Sequence, residues 1–407
     1  MKRKQVWAFF LAVLLALPCG VSASYADNDP GKADALAAAG VMIEDIDSAL
    51  VDADPTTLEI KAKSYLLMEA SSGKVLAEKN ADEPMQPASI TKIMSLLLTM
   101  EALDEGKIHL DDTVTCSEHA NSMGGSQIWL KVGETMTVNE LLKAAAISSA
   151  NDATVALAEH VAGSEEGFVR LMNERAKELG MENTTFVNCT GFDDPNHRTS
   201  ARDIALMSRE LLKHEKIFEY TTVWMDSLRN GETQLVNTNK LIRFYKGANG
   251  LKTGTTDGAG YCLAAAAKRD GMQLIAVNLG STTTEDRFFS ARKLLDYGFA
   301  NYEITQPELS ELSPVKVTHG TAPEVSSVCR ADSILLEKGQ KSQIKQEVQL
   351  AESLEAPVAE GDVIGKVILK IGEETVGECP ITAGETVEKR TFLICLRDFL
   401  SILTQMK

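Results

Sequence analysis

The chain has 407 residues and a formal net charge of −17, and this length suits two or three domains with a large core. An acidic chain lacks the basic face that nucleic-acid binding requires, so nucleic acid is excluded as a partner. No two histidines form H-E-x-x-H and no two cysteines form C-x-x-C, so we expect neither a metal site nor a cofactor.

Residues 1–26 have the pattern of a secretory signal peptide. Basic residues at 2–4 precede an apolar run at 6–17, which is too short for a permanent membrane span. Cleavage is predicted after Ala23 or Ala26, and the mature protein is predicted to be exported. The six cysteines that remain are scattered through a chain that can fold without cross-links, so we expect free buried thiols.

The next elements predict a β-hairpin followed by a helical section. Residues 27–57 are acidic and are predicted to form a linker. Two short runs around a Gly-containing turn, 64–70 and 74–78, indicate the hairpin. Thr137 and Glu140 form a capping box, which predicts a helix start. Helices are predicted at 93–103, 141–147, 153–161, 165–179 and 201–212.

The pattern turns to strands after residue 247. Strands are predicted at 250–255, 261–268 and 272–279, followed by a helix at 285–297 that Gly298 is expected to end. Strands at both ends of residues 58–304 favour one α/β domain, an antiparallel sheet flanked by helices with a helical subdomain.

Two further segments follow this domain. Short runs rich in Val and Ile predict a small all-β domain at 305–388. Residues 389–407 place apolar side chains at helical spacing and predict an amphipathic helix, too short to span a membrane. We expect this helix to lie on a membrane surface; docking on its own β-domain is the alternative.

Ser89 and Lys92 open the apolar helix at 93–103, three residues apart and therefore on one helical face. A buried lysine with a lowered pKa can take the proton of a serine hydroxyl. Ser-x-x-Lys starts at five serines, Ser71, Ser89, Ser290, Ser313 and Ser342. Only Ser89 precedes a buried helix and two further motifs in the expected order.

Those two motifs are Ser149-Ala150-Asn151, in the break between two helices, and Lys252-Thr253-Gly254, on a strand. Each tripeptide pattern occurs once in the chain. Together with Ser89 and Lys92 they form the ordered set of β-lactamases and penicillin-binding proteins. The chain resembles the low-molecular-mass penicillin-binding proteins, the serine D-Ala-D-Ala carboxypeptidases. The resemblance covers residues 57–302 and continues through the small β-domain and terminal helix, which that family also carries.

The resemblance implies a role for each catalytic residue. Ser89 would attack the carbonyl between the two terminal D-alanines of a peptidoglycan pentapeptide and form an acyl-enzyme. Lys92 would be its base. Ser149 would relay a proton to the leaving D-alanine, and Asn151 would orient substrate and Lys92. Lys92 is expected to be held by Ser149, Asn151 and Lys252.

The resemblance also implies substrate-binding roles on the third motif. Lys252 and Thr253 would hold the terminal carboxylate, and Gly254 would let the substrate backbone lie close to the strand. The backbone N–H groups of Thr255 and of the nucleophile would form the oxyanion hole. Arg287 stands where the family often has an arginine in the cleft; a solvated helix residue is the alternative.

Other activities fit the sequence less well. A Ser-His-Asp hydrolase would need a G-x-S-x-G elbow, which is absent. A β-lactamase on the same fold would need a glutamate to activate the deacylating water, and no suitable segment follows Asn151. A D,D-endopeptidase remains open, and intact motifs disfavour a catalytically dead wall-binding protein. The resemblance implies β-lactam inhibitors as ligands and a peripheral position on the extracytoplasmic face of the cytoplasmic membrane.

Overall fold

We describe residues 58–397 of a computed structural model; the predicted signal peptide, the acidic linker and residues 398–407 lie outside the described residues. The first nine strands are β1 Ser64–Glu69, β2 Val75–Lys79, β3 Thr113–Thr115, β4 Thr135–Thr137, β5 Met225–Leu228, β6 Thr233–Val236, β7 Ala248–Thr256, β8 Gly260–Arg269 and β9 Met272–Ser281. The helices are α1 Lys92–Asp104, α2 Glu118–Asn121, α3 Val138–Ile147, α4 Asn151–Ala162, α5 Glu165–Glu178, α6 Ala201–Leu211, α7 Phe218–Thr221, α8 Leu241–Phe244 and α9 Thr284–Asn301.

The central sheet has five antiparallel strands in the order β2-β1-β9-β8-β7. The hairpin from the start of the domain therefore pairs with the strands at its end, as predicted. Successive side chains of β1 alternate between the two faces: Leu66 packs in the core that contains α1 and α6, and Leu67 packs in the core that contains α9. The sheet is thus covered by helices on both faces, and the predicted antiparallel sheet flanked by helices is confirmed.

The helical section lies against one face of the sheet. The capping box of Thr137 and Glu140 is formed at the start of α3. α1 is buried along almost its whole length and packs against α3, α4, α5 and α6, so its apolar sequence reflects a central position. Lys92, the first residue of α1, is consequently held inside the domain.

The prediction that Gly298 ends the last helix is wrong. α9 continues to Asn301, and Gly298 lies within it where the helix crosses the sheet. A Cβ at this position would lie 2.5 Å from Leu274 Cδ1 and 3.2 Å from Leu67 Cδ2. The glycine therefore serves the close approach of helix and sheet, a role that looks the same as a helix stop in sequence.

The remaining strands form a β-rich region with a core of its own. They are β10 Tyr302–Thr305, β11 Val315–Thr318, β12 Glu324–Val325, β13 Ser327–Cys329, β14 Ile334–Glu337, β15 Lys345–Leu350, β16 Ser353–Glu355, β17 Val363–Ile371 and β18 Glu374–Ala383. One sheet has the order β12-β11-β16 and another the order β13-β18-β17-β15, while β10 pairs with β14. The all-β character predicted after residue 305 is confirmed.

The described part of the C-terminal segment, residues 392–397, is helical, with Phe392 and Leu393 largely exposed. Within residues 58–397 no helix combines the length and apolarity needed to cross a membrane. Free thiols are found at Cys116, Cys189, Cys262, Cys329, Cys379 and Cys395. Four are buried as expected, but Cys329 is half-buried and Cys395 is exposed, so burial of every thiol was a wrong expectation.

Candidate active site

Ser89 lies in a single 3-10 turn, Ala88–Thr91, that leads directly into α1. Ala88 has a φ of +50°, which is uncommon for a residue other than glycine. Ser89 and Lys92 fall on one side of this helical segment, and Lys92 Nζ lies 3.0 Å from Ser89 Oγ. The predicted contact between nucleophile and base is therefore present in the structure.

Lys92 is completely buried, with 0% of its surface exposed. Burial lowers its pKa to about 7, although the nearby Asp152 carboxylate acts in the opposite direction. Nζ donates to Asn151 Oδ1 at 2.5 Å and to the Thr190 carbonyl at 2.8 Å. A neutral amine has two N–H groups and one lone pair. With both N–H groups bonded to these acceptors, the lone pair is left for the Ser89 hydroxyl.

Asn151 is fixed by residues 124–126, which lie between α2 and β4. Its backbone N–H donates to Ser126 O at 2.7 Å, and its Nδ2 donates to Gly124 O at 2.7 Å. Gly125 has a φ of +72°, and a Cβ there would lie 2.9 Å from Asn151 Nδ2. The glycine thus allows a close approach, and Asn151 is left with Oδ1 pointing to Lys92.

Ser149 also reaches the cleft, but not with the partner expected from the sequence. Its φ is +65°, and its Oγ is buried without a hydrogen-bond partner among residues 58–397. The expectation that Ser149 and Lys252 hold Lys92 is wrong here, because the Thr190 carbonyl is the third neighbour of Lys92. A buried hydroxyl without a partner loses the hydrogen bonds that water would give it. Its hydrogen-bonding capacity is therefore not used by the residues that the structure describes.

Lys252, Thr253 and Gly254 lie on β7, all of them buried. Lys252 Nζ donates to Thr253 O at 3.1 Å, and Thr253 Oγ1 donates to Thr238 Oγ1 at 2.7 Å. The pKa of Lys252 is well below its ordinary value because of burial and the positive charges of Lys92 and Arg287. The cleft is therefore a place where an anion would be stabilised.

Gly254 has a packing role in addition to the substrate-binding role that the resemblance implies. A Cβ at this position would lie 2.8 Å from Pro87 O and 3.1 Å from Ala88 Cβ. Since these atoms belong to the turn that carries Ser89, the glycine lets β7 pack directly against that turn. Its absent side chain makes room for the protein's own backbone.

Arg287 is placed in the cleft by α9, and the alternative of a solvated helix residue is wrong. Only 7% of its surface is exposed. Nη1 donates to Thr255 Oγ1 at 3.0 Å and to Gly254 O at 3.4 Å. Burial lowers its pKa to about 10, so the guanidinium remains charged at neutral pH. Thr255, at the outer end of the motif, is exposed.

A second layer of residues lies behind the nucleophile and includes His197, for which the sequence favours a structural role over a catalytic one. His197 is buried and accepts a hydrogen bond from Val187 N at Nδ1, 3.1 Å away. Its Nε2 therefore carries the proton and donates to Thr91 Oγ1 at 2.8 Å, while Thr91 Oγ1 donates to Ala88 O at 2.9 Å. This chain ties the strained backbone beside Ser89 to the loop that contains His197. The position of His197 in a polar loop near the motifs was the only signal for it.

Ser89 lies next to a buried amine whose pKa is lowered to about 7, a carboxamide holds that amine, and Lys252 and Arg287 lie nearby. This arrangement defines a serine acyl-transfer enzyme with a lysine base. The comparisons with known proteins agree with this class. The family model for D-alanyl-D-alanine carboxypeptidases, peptidase family S11, matches residues 50–283. A model for the C-terminal domain of penicillin-binding protein 5 matches residues 308–389.

Individual relatives cover most of the chain. D-alanyl-D-alanine carboxypeptidase DacF of Bacillus subtilis is 45% identical over 85% of this chain and 91% of its own length. The structure of penicillin-binding protein 5 from Haemophilus influenzae matches with a TM-score of 0.71 and 34% identity, covering 81% of this chain and 98% of that one. Penicillin-binding protein D2 of Listeria monocytogenes, in an ampicillin-bound form, matches with a TM-score of 0.55 and 32% identity over 60% of this chain and 99% of its own.

The chain belongs to the serine-type D-alanyl-D-alanine carboxypeptidases. The family, fold and activity expected from the sequence are thereby confirmed.

Proposed function

We propose that Ser89 and Lys92 carry out the cleavage of the terminal D-Ala-D-Ala bond. The Ser89 proton passes to the neutral Lys92 amine as Oγ bonds to the carbonyl carbon between the two D-alanines. The C–N bond then breaks, and the proton returns to the amino group of the departing D-alanine. Water hydrolyses the acyl ester and regenerates the serine. The observation that carries this assignment is the contact of Ser89 Oγ with a fully buried Lys92.

Ser149 and Asn151 have separate tasks in this scheme. Ser149 Oγ, which has no protein partner within residues 58–397, relays the proton between Lys92 and the leaving amino group. Asn151 keeps the Lys92 amine oriented through Oδ1, so that its lone pair meets the nucleophile.

Lys252 and Thr253 bind the terminal carboxylate of the substrate, with Arg287 as a second cation. Burial lowers the pKa of Lys252, and the positive charge of Arg287, together with that of Lys92 when it is protonated, lowers it further. A bound carboxylate would offset these positive charges and favour the charged form of Lys252. The backbone N–H groups of Ser89 and Thr255 form the oxyanion hole, and one such donor is typically worth ~3 kcal/mol.

Penicillin and related β-lactams are proposed as inhibitors that acylate the same serine. The Listeria relative, 32% identical and matched over 99% of its chain, has been solved in an ampicillin-bound form. The same motifs here would present Ser89 to the strained amide of the drug. A wall peptidase of this kind acts outside the cell, so we propose export by the segment at 1–26 and peripheral attachment to the membrane through 389–407.

The test is the intact mass of the purified protein after incubation with penicillin. We expect a stable increase by one drug molecule in the wild type and none in Ser89→Ala. Rapid turnover of the drug without an adduct would instead indicate a β-lactamase. Release of D-alanine from a soluble pentapeptide establishes carboxypeptidase activity, and cleavage of a cross-linked dimer under the same conditions would indicate an endopeptidase.

A further inference from the structure

Trp129 is an exposed aromatic residue in a strained backbone. It leaves 74% of its surface exposed and has a φ of +59°. A bulky residue at positive φ is an outlier, and such strain persists only where the surroundings enforce it. Both features are unfavourable for folding, so they point to a contact that Trp129 makes with another molecule.

The backbone on both sides of Trp129 is held by side chains from distant parts of the chain. The buried carboxylate of Asp152 accepts from Ile128 N at 3.2 Å and from Leu130 N at 3.0 Å. Arg229 Nη1 donates to Ile128 O at 2.9 Å, and Asn121 Nδ2 donates to Leu130 O at 2.6 Å. The outward position of the indole is therefore fixed by the fold.

The same segment forms part of the catalytic cleft. Gly124 O and Ser126 O bind Asn151, and the residue that clamps the Trp129 backbone, Asp152, follows Asn151 directly. Trp129 is three positions after Ser126, which is at most ~11 Å of chain. Trp129 thus lies close to the segment whose backbone carbonyls hold Asn151.

An open hollow of about 600 Å³ lies beside the indole. Its lining includes Trp129, Lys131, Val132, Glu134, Arg229 and Thr233. Arg229 is itself fixed, because its Nε donates to Glu134 Oε1 at 2.7 Å and its Nη1 to Thr233 Oγ1 at 2.8 Å. An aromatic face with charged groups and a hydroxyl around it suits a sugar ring, which has apolar C–H faces and polar hydroxyls at its edge.

We propose that Trp129 and this hollow bind the sugar to which the stem peptide of the substrate is attached. The inference rests on the proposed function, since it concerns the distant end of a substrate whose D-Ala-D-Ala terminus is at Ser89. A pentapeptide stem spans at most about 18 Å when extended, so its sugar end can reach a surface close to the segment that holds Asn151. The site would favour substrate that still carries its glycan over the free peptide.

The experiment compares two soluble substrates, a pentapeptide ending in D-Ala-D-Ala and the same pentapeptide attached to its disaccharide. For Trp129→Ala we expect kcat/KM on the disaccharide substrate to fall about tenfold further than on the bare peptide, through KM. Trp129→Phe, which retains an aromatic ring, should recover most of the difference. Val363→Ala removes an equally exposed apolar side chain, 70% exposed, from the β-rich region and should leave the ratio of the two substrates unchanged.

If Trp129→Ala lost the same factor of kcat/KM on both substrates, the proposal would be overturned, and a contact with the peptide or a change in the cleft would be indicated. No loss on either substrate would overturn it as well. If wild-type protein released no D-alanine from either substrate, the proposed function itself would fail. If only the sugar site failed, the wild-type protein would still release D-alanine from both substrates, so the two failures can be distinguished.

Discussion

The two lysines of the cleft show how burial helps to prepare an acyl-transfer site. Lys92 and Lys252 are both fully buried, and burial is the largest cause of the lowered pKa of each. The two differ in their partners. Lys92 has the Asn151 and Thr190 oxygens around it and lies next to the nucleophile, while Lys252 contacts only its neighbouring carbonyl within the described residues. Lys92 is thus arranged as a base, and Lys252 is arranged as a binding site for an anion.

The pKa of Lys92 predicts the pH dependence of acylation. The amine acts as a base only when neutral, so the rate must rise with pH through its pKa of about 7. At pH 5 only ~1% of the amine is neutral, which predicts an acylation rate about 100-fold below the plateau. The measurement is the second-order rate constant for penicillin adduct formation between pH 5 and 8.5, with circular dichroism to confirm an intact fold. A flat profile would contradict Lys92 as the base.

His197 predicts a pH dependence of stability. Burial lowers its pKa from 6.5 to about 4, so the unfolded chain binds one more proton than the folded protein between these values. Neutral His197 makes its full contribution to the free energy of unfolding above pH 6.5. As the pH falls from 6.5 to 4, that free energy decreases by up to ~3 kcal/mol. His197→Gln cannot be protonated. We expect its urea midpoint to change less than that of the wild type between pH 7 and pH 4.5; parallel curves would rule out this contribution.

The sequence predicts the catalytic residues better than it predicts their surroundings. Ser89, Lys92 and Asn151 are identified by side-chain type and order, and the structure brings them together. Thr190 could not be found in this way because it acts through its backbone carbonyl, which every residue has. The packing role of Gly254 could not be predicted because a missing side chain gives no sign of which neighbour occupies the space.

At the scale of elements, the nucleophile turn is set by two glycines from other parts of the chain. Gly254 brings β7 against Pro87, and Gly191 brings the loop before α6 against Ala88. Gly191 has a φ of +90°, and a Cβ there would lie only 1.8 Å from Ala88 O. The conformation of the turn therefore depends on backbone packing as well as on its own sequence.

Replacement of Gly191 should therefore damage the active site as well as the fold. In Gly191→Ala we expect slow acylation and a loss of ~3 kcal/mol or more, since backbone atoms cannot yield as a flexible side chain can. Gly163→Ala is the matched control, with a φ of +80° and nothing within 4 Å of the added Cβ. That variant should lose only ~1–2 kcal/mol and acylate normally. Urea midpoints and adduct formation measure both effects; equal behaviour of the two variants would contradict the steric argument.

Secondary structure was predictable wherever the pattern is local. The hairpin of β1 and β2 and the capping box of α3 follow from a few adjacent residues, and both are present. The end of α9 was not predictable, because whether Gly298 stops a helix or packs against a sheet depends on residues that are distant in sequence, Leu67 and Leu274. Where the local sequence pattern fits two structures equally well, long-range packing therefore decides which of them forms.

At the scale of the whole molecule, the boundary of the C-terminal segment lies slightly later than the sequence suggests. Lys389 forms a bridge with Gly320, and Arg390 N donates to His319 O at 2.7 Å. Both residues thus pair with the β-rich region. From residue 392 the chain is helical and exposes Phe392 and Leu393. A truncation after Arg390 therefore keeps the contacts of Lys389 and Arg390 with the β-rich region and removes the rest of the segment predicted to bind a membrane.

This truncation tests the membrane proposal. The removed residues 391–407 contain two basic residues and one acidic residue in a chain of net charge −17, so this segment differs in sign from the rest of the protein. Apolar burial and attraction to anionic headgroups would then act together. We expect the protein without residues 391–407 to lose sedimentation with anionic phospholipid vesicles and to keep its kcat/KM on a soluble pentapeptide. A full-length variant with Phe392→Asp and Leu396→Asp should also stay in the supernatant; truncated protein that still sediments would place the membrane contact elsewhere.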